Sequence, residues 1–317
     1  MFDPDPETGP GPRRSEGPAD DRLPPLARVV FYLPAYLIAQ LVTAGFAAAL
    51  WLVATGRQLP DLEAIENELS LAVGLGAAFL PVLLLGTWAF ARGLDGRSLE
   101  DLGWRLPATS RRTVVETLGA SGGALLLLTL WFALGSWGFD VQWSGWATLG
   151  PRGVLSVSGL GMMFGGLALA AAAEELAFRG YVFRALKDRG TWASAAGLQA
   201  AFFALLHASN PEITAAALAN TFLLGLALAA LVEVTGSLYA ATLVHTLWNF
   251  LVALGLPLSG FNSLGLAKIT LSGPDGWTGG AYGPEGSWVL TALLVASVFA
   301  LAPWADRAQP QAAEPEG

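Results

Sequence analysis

The chain contains no cysteine, which removes disulfides, thiolate metal sites and cysteine nucleophiles together. Histidine is almost as scarce: among 317 residues there are only His207 and His245. Any imidazole base or ligand must therefore be one of these two. Charged residues make up 13% of the chain and sum to a net charge of −8, a balance that speaks against nucleic acid as a partner and against a polybasic lipid-binding patch. No HExxH and no Gly-rich phosphate loop is present, so the zincin and nucleotide-binding motifs have no candidate. The N-terminus is acidic and Pro-rich where a signal peptide would be basic, so no cleavable leader is expected and the first apolar helix is expected to do the targeting.

What the chain has instead is long apolar runs. Hydrophobic residues make up 54% of it, mean hydropathy is +0.52, and a spanning helix needs about 20 apolar residues. Eight segments qualify, at about 29–55, 70–91, 114–138, 154–180, 192–209, 213–232, 236–254 and 287–304. Helices and closed barrels alone satisfy every backbone group in lipid, and these runs are too long for barrel strands. The expected class is therefore all-α, a polytopic transmembrane helix bundle of about eight spanning helices. The sixth and seventh runs are joined by so short a connection that they should form a tight helical hairpin.

Residues 1–26 are rich in Pro, Gly and charge with little to bury, as expected of a disordered cytoplasmic tail. The bundle should occupy 27–305, and 306–317 should form a second disordered tail. Arg13, Arg14, Arg22 and Arg28 precede the first run, Arg92, Arg97, Arg105, Arg111 and Arg112 lie between the second and third, and Arg184, Lys187 and Arg189 lie between the fourth and fifth. Arg307 follows the last run, whereas the alternate loops hold only Arg57, Arg152 and Lys268. The positive-inside rule then predicts a multi-pass cell-membrane protein with both termini cytoplasmic. Residues 98–104 look like a short interfacial turn. The Gly-rich stretch 255–286, with Trp277 and Tyr282, is expected outside, either capping the bundle or lying on its surface.

Within the apolar background one stretch stands out, AAAEELAFRGYVFR from Ala171 to Arg184. Ionisable groups at membrane depth are costly and so are taken as functional by default. Glu175 and Arg179 are at i,i+4, the spacing of a helical ion pair, whereas Glu174 is rotated away by about 100°. His207 closes a run in which Phe203 lies one turn earlier, and His245 is followed one turn later by Asn249. One histidine in such a helix commonly serves as glue between helices; two of them with an EExxxR and an Asn at helical spacing argue for chemistry. Glu174 and His207 each lie about 16 residues from the turn near Asp188, hence roughly 24 Å from it. Two antiparallel neighbours bring them to one depth. His245 and Asn249 should join them in a cavity in the cytoplasmic half of the membrane or near its middle. A carboxylate and a histidine sharing one water make a general-base site, and a second imidazole with an amide offers donors to a developing oxyanion. That is equipment for hydrolysing an amide.

Glu174-Glu175-x-x-x-Arg179, Phe203-x-x-x-His207 and His245-x-x-x-Asn249, in that order on separate helices, resemble the three motifs of the CPBP intramembrane proteases, also called the Abi or CAAX protease family. The resemblance covers roughly residues 110–254. It implies an endopeptidase acting on a membrane-associated protein or peptide, with Glu174 activating water, His207 assisting, and His245 and Asn249 steadying the oxyanion. Glu175, Arg179 and Phe203 would be supporting residues. The family is described both as metalloproteases and as glutamate proteases. The cofactor therefore stays open between a divalent metal such as zinc, which Glu174, His207 and His245 would hold, and none. Two other readings fit the polar residues: a membrane scaffold or bacteriocin-immunity protein of the same fold, and a proton-coupled transporter, for which repeat symmetry would be needed and is not evident.

Overall fold

A computed structural model of the chain describes residues 23–56, 69–104, 111–146, 157–255 and 267–308. Most of the two expected tails therefore lies outside the described residues. Eight long helices carry the architecture. In chain order they are α1 Pro25–Thr55, α2 Leu69–Asp95 and α3 Arg111–Gly135. Next comes α4 from Val157 to Glu175, continued without a break by a π-helical stretch, Leu176–Val182, and a last turn, Phe183–Lys187. Then follow α5 Trp192–Leu206, α6 Ala215–Thr235, α7 Leu238–Gly255 and α8 Trp288–Arg307. Helix accounts for 81% of the described residues, so the helical class holds, with one addition. Strands β1 Asp140–Trp146 and β2 Ala267–Ser272 form an antiparallel ribbon, with Asp140 opposite Ser272, Trp143 opposite Ile269 and an irregularity between Trp143 and Trp146. The partners are separated by more than a hundred residues, so no local hairpin signal announces the pairing.

Among the described residues, four helical stretches are long and apolar enough to cross a membrane: Pro25–Leu50, Leu160–Lys187, Ala215–Thr235 and Trp288–Arg307. Helices α3 and α7 contribute shorter apolar stretches, Gly122–Gly135 and Leu238–Ala253. The outer surface fits a lipid environment. Leu41 and Phe46 on α1, and Phe299 on α8, are exposed, while Glu175, Arg179, Gln199 and Asn220 are buried. An apolar exterior, with a few polar groups buried among the apolar ones inside, suits a lipid surround.

The helices begin where a side chain can satisfy their orphan N–H groups. Thr191 accepts from the Ser194 backbone at the start of α5, Thr214 from Ala217 at α6, and Ser287 from Leu290 at α8. Helix α6 stops at Gly236, whose φ of +68° is a left-handed conformation that suits glycine. Leu238 then starts α7, so the tight α6–α7 hairpin is present. Helices α5 and α6 come together closely because Gly225 has no side chain: a Cβ there would lie 2.9 Å from Ala200 Cβ. Gln199, fully buried between them, donates Nε2 to the Gly225 carbonyl at 2.9 Å.

One end of the bundle is fastened by charge. Arg28 of α1 donates to Asp95 of α2 at 2.6 Å and to Asp188, just past α4, at 2.9 Å. Arg97 pairs with the same Asp188, and Lys187 pairs with Glu233 of α6. Trp192 Nε1 donates to Asp306 of α8 at 2.5 Å. The β ribbon, the α5–α6 loop and the turns before α8 lie at the opposite end. Between the ends are two apolar clusters. One surrounds the π-helical part of α4, with Tyr32, Phe178, Tyr181, Phe203 and Leu228. The other joins α3, α7 and α8 through Trp131, Trp248, Val252 and Leu294.

Because Arg28 and Asp95 are buried, removing Asp95 leaves the cation with Asp188 alone, and breaking a buried pair typically costs about 3–5 kcal/mol. Asp95→Ala should lower the unfolding free energy in detergent by about that much, and Arg28→Met combined with Asp95→Leu should recover most of it. An Asp95→Ala protein as stable as the parent would show that the pair does not fasten α1 to α2.

Candidate active site

Helix α4 supplies the two adjacent carboxylates, and the structure separates them as their rotation predicts. Glu175 is fully buried and Oε1 accepts from Arg179 NH1 at 2.9 Å, the expected i,i+4 ion pair. The π-helical stretch begins at the next residue, Leu176, and a widened turn of this kind is frequent at functional sites. Glu174 points the other way, about a quarter exposed, and lines a cavity of about 160 Å³.

The same cavity is lined by His207, His245 and Asn249. All four residues singled out from the sequence therefore meet in one place. His245 is the link between the two carboxylates: Nδ1 donates to Glu175 Oε1 at 2.9 Å, while Nε2 lies 3.9 Å from Glu174 Oε2. A carboxylate oxygen only accepts, so Nδ1 carries a proton. Nε2 is then an acceptor in neutral imidazole and a donor in imidazolium. His207 is held in the same sense by a backbone group, its Nδ1 donating to the Phe203 carbonyl at 2.8 Å. It forms the first residue of a 3₁₀ turn that ends α5, and it too turns Nε2 away from its anchor.

Phe203 joins the parts. Its ring centroid is 4.6 Å from His207 and 5.1 Å from Phe178, and the Arg179 guanidinium lies 4.2 Å over its face. That stacking compensates a buried cation whose Nε and NH2 have no hydrogen-bond partner among the described residues. Glu175 and Arg179 are thus more than a local ion pair, because Glu175 also holds a cavity histidine. The sequence reading paired Glu175 with Arg179 alone and missed the bond to His245.

Other lining residues were not foreseen. Asn210 of the α5–α6 loop donates Nδ2 to Tyr282 Oη at 3.2 Å, and Trp248 of α7 donates Nε1 to Glu285 at 2.8 Å. Burial raises the Tyr282 hydroxyl above its ordinary range, so it is neutral at physiological pH and keeps its proton to give. Asn220 of α6 donates to the carbonyls of Glu285 and Ser287 at 2.7 and 3.0 Å. Residues 282–287 are therefore pinned over the cavity, which extends to the end opposite the Asp188 turn rather than sitting in that turn's half. Of the two placements left open for 255–286, capping holds for this part. The signals for it were the polar residues Asn220 and Glu285 beside long apolar runs.

The donor set can be tested for a metal. Among the described residues no three His, Asp or Glu side chains converge closely enough to hold an ion. Glu174, His207 and His245 share the cavity, each histidine with Nδ1 bonded to an anchor and Nε2 left over, and Glu174 Oε2 stands 3.9 Å from His245 Nε2. As placed, the three do not make a closed coordination sphere among the described residues.

Comparison with known families bears on the same helices. Residues 156–251 match the family model described as type II CAAX prenyl endopeptidase Rce1-like. The match supports the resemblance of this segment to the CPBP/CAAX proteases. It holds α4 to α7, hence all three motifs, while α1 to α3 and residues 267–308 lie outside the match. The expected CPBP/CAAX core began near 110 and so took in α3. No curated protein matches the chain. The match supports, at the level of that family, a membrane protease acting on a protein substrate.

The different settings of the two carboxylates give a measurable contrast. Glu175→Ala leaves Arg179 buried without its anion and should cost about 3–5 kcal/mol. Glu174→Gln, which keeps shape in a partly open cavity, should change stability by less than about 1 kcal/mol. Unfolding midpoints in detergent for the two variants would check this, and equal losses would mean that the roles of the pair are interchanged.

Proposed function

We propose that the chain is an intramembrane endopeptidase in which Glu174 activates water against a peptide bond of a membrane-associated protein or peptide. The observation that supports this most is the shared cavity lined by Glu174, His207, His245 and Asn249, in a segment that matches a protease family. Glu174 takes a proton from water as the oxygen attacks the carbonyl carbon, with His207 Nε2 holding that water in place. The carbonyl oxygen becomes an oxyanion and accepts from Asn249 Nδ2 and from His245 Nε2 in its imidazolium form. Glu175, bonded to Nδ1, fixes the ring with Nε2 towards Glu174. Collapse of the tetrahedral intermediate breaks the C–N bond as Glu174 returns its proton to the leaving amine. No step is routed through a metal.

On this reading all eight helices cross the bilayer, residues 27–305 form one bundle, and both chain ends are cytoplasmic. Arg28, Arg97, Lys187 and Arg307 gather at one end of the bundle, which the positive-inside rule assigns to the cytoplasm. The pinned turn 282–287 then covers the cavity from the outer side. Topology reporters fused after Gly56, Arg105, Arg189 and Arg307 should report the first outside and the other three inside. An outside Arg189 would overturn the orientation.

The division of roles is tested by turnover of a reporter substrate in liposomes, normalised to folded protein. Glu174→Gln should abolish cleavage. Asn249→Ala should reduce it by about 10² to 10³, the usual cost of one oxyanion donor, and His207→Ala by about 10² to 10⁴. The double variant should be little worse than the more severe single one, because the residues act as a unit. Wild-type rates that survive all of these changes would remove the cavity from the reaction. Activity abolished by a chelator would move the enzyme to the metallo type.

A further inference from the structure

The cavity contains a second carboxylate that the proposed reaction leaves unused. Glu285 sits in the turn Pro284–Gly286 and lines the cavity together with Glu174. Its position is fixed on several sides: Oε1 accepts from Trp248 Nε1 at 2.8 Å, and its carbonyl accepts from Asn220 Nδ2 at 2.7 Å. The neighbouring Ser287 accepts on Oγ from the buried Trp131 Nε1 at 2.7 Å. A turn held this firmly presents Glu285 at a set place. Its second oxygen, Oε2, takes no bond from any described residue, and it is not among the buried oxygens that lack a partner, so it faces open space.

A second observation points the same way. Asn220, which is 2% exposed, also lines the cavity and makes both of its side-chain bonds as a donor, while its Oδ1 is buried with no partner among the described residues. Glu285 Oε2, Asn220 Oδ1 and Glu174 are three acceptors around one space, and among the described lining residues there is no Arg or Lys. Such a site is complemented by a group rich in N–H donors and positively charged. A cation at membrane depth is tolerated where a carboxylate pairs with it. A free C-terminal carboxylate beside Glu285 and Glu174 would face two like charges.

Resting on the protease reading, we propose that Glu285 is a specificity-determining residue that selects substrates carrying a Lys or Arg side chain near the scissile bond. The role is distinct from pegging the turn to α7. Glutamine at 285 keeps an oxygen for Trp248 and loses only the charge, so a merely structural Glu285 predicts no change in substrate preference.

The probe is a set of apolar peptides of about 24 residues, long enough to span the bilayer, with Lys, Arg, Gln or Glu placed in turn at each central position. They are reconstituted with the full chain in liposomes and cleavage is read by mass spectrometry. At one or two positions, wild-type kcat/KM should favour Lys and Arg over Glu by about 10- to 100-fold, the range of one charge-assisted hydrogen bond. Glu285→Gln should bring Lys and Gln peptides to within about threefold, mainly through KM, and Glu285→Lys should favour the Glu peptide. A Lys preference that survives Glu285→Gln, or a wild type without charge preference, would overturn the proposal. Binding of the same peptides to Glu174→Gln needs no turnover and separates the two readings. If no peptide is cleaved but Lys-peptide binding is lost on adding Glu285→Gln, the selectivity stands and the protease reading falls.

Discussion

One carboxylate oxygen organises the interior. Glu175 Oε1 accepts from Arg179 on its own helix and from His245 on α7, each at 2.9 Å. Every polar group in that arrangement would be costly alone at this depth. Together they are compensated: Arg179 by the carboxylate and the Phe203 face, His245 by the carboxylate, and Phe203 by packing on Phe178 and His207. The consequence is positional, since α4, α5 and α7 cannot shift against one another without breaking a contact to one of these four side chains.

That constraint divides the two adjacent glutamates. Glu175 is consumed by structure, and its use leaves Glu174 facing the cavity. A helix offers the two residues different faces, and the π-helical turn beginning at Leu176 lies directly beyond them. Because Glu175 takes the Nδ1 proton of His245, the ring presents Nε2 towards Glu174. A supporting residue thereby sets which nitrogen a reacting group would meet.

The two ends of the bundle have different characters. The arginine end is closed by Arg28, Asp95, Asp188 and Lys187 in ion pairs, whose attraction is strong where burial excludes water. The other end is closed by hydrogen bonds from Asn210, Asn220, Trp131 and Trp248 to the 282–287 turn, all between neutral groups except the one to the Glu285 carboxylate. Bonds of this kind contribute less singly, and the cavity lies beneath them.

How much was legible beforehand follows from the range of each signal. The helices were readable because apolar runs and helix ends are local, as Gly236 and Thr214 illustrate. The candidate residues were readable because polar groups in apolar helices stand out, and with only His207 and His245 in the chain there was little choice. Pairing of Glu175 with Arg179 followed from helical spacing alone. What only the tertiary structure decided were contacts between distant segments: Glu175 to His245, Trp248 to Glu285, Asn220 to the 285–287 carbonyls, and β1 to β2. Sequence periodicity reports which face of an element is apolar, not which partner that face meets, so the roof of the cavity and the second task of Glu175 were set by packing.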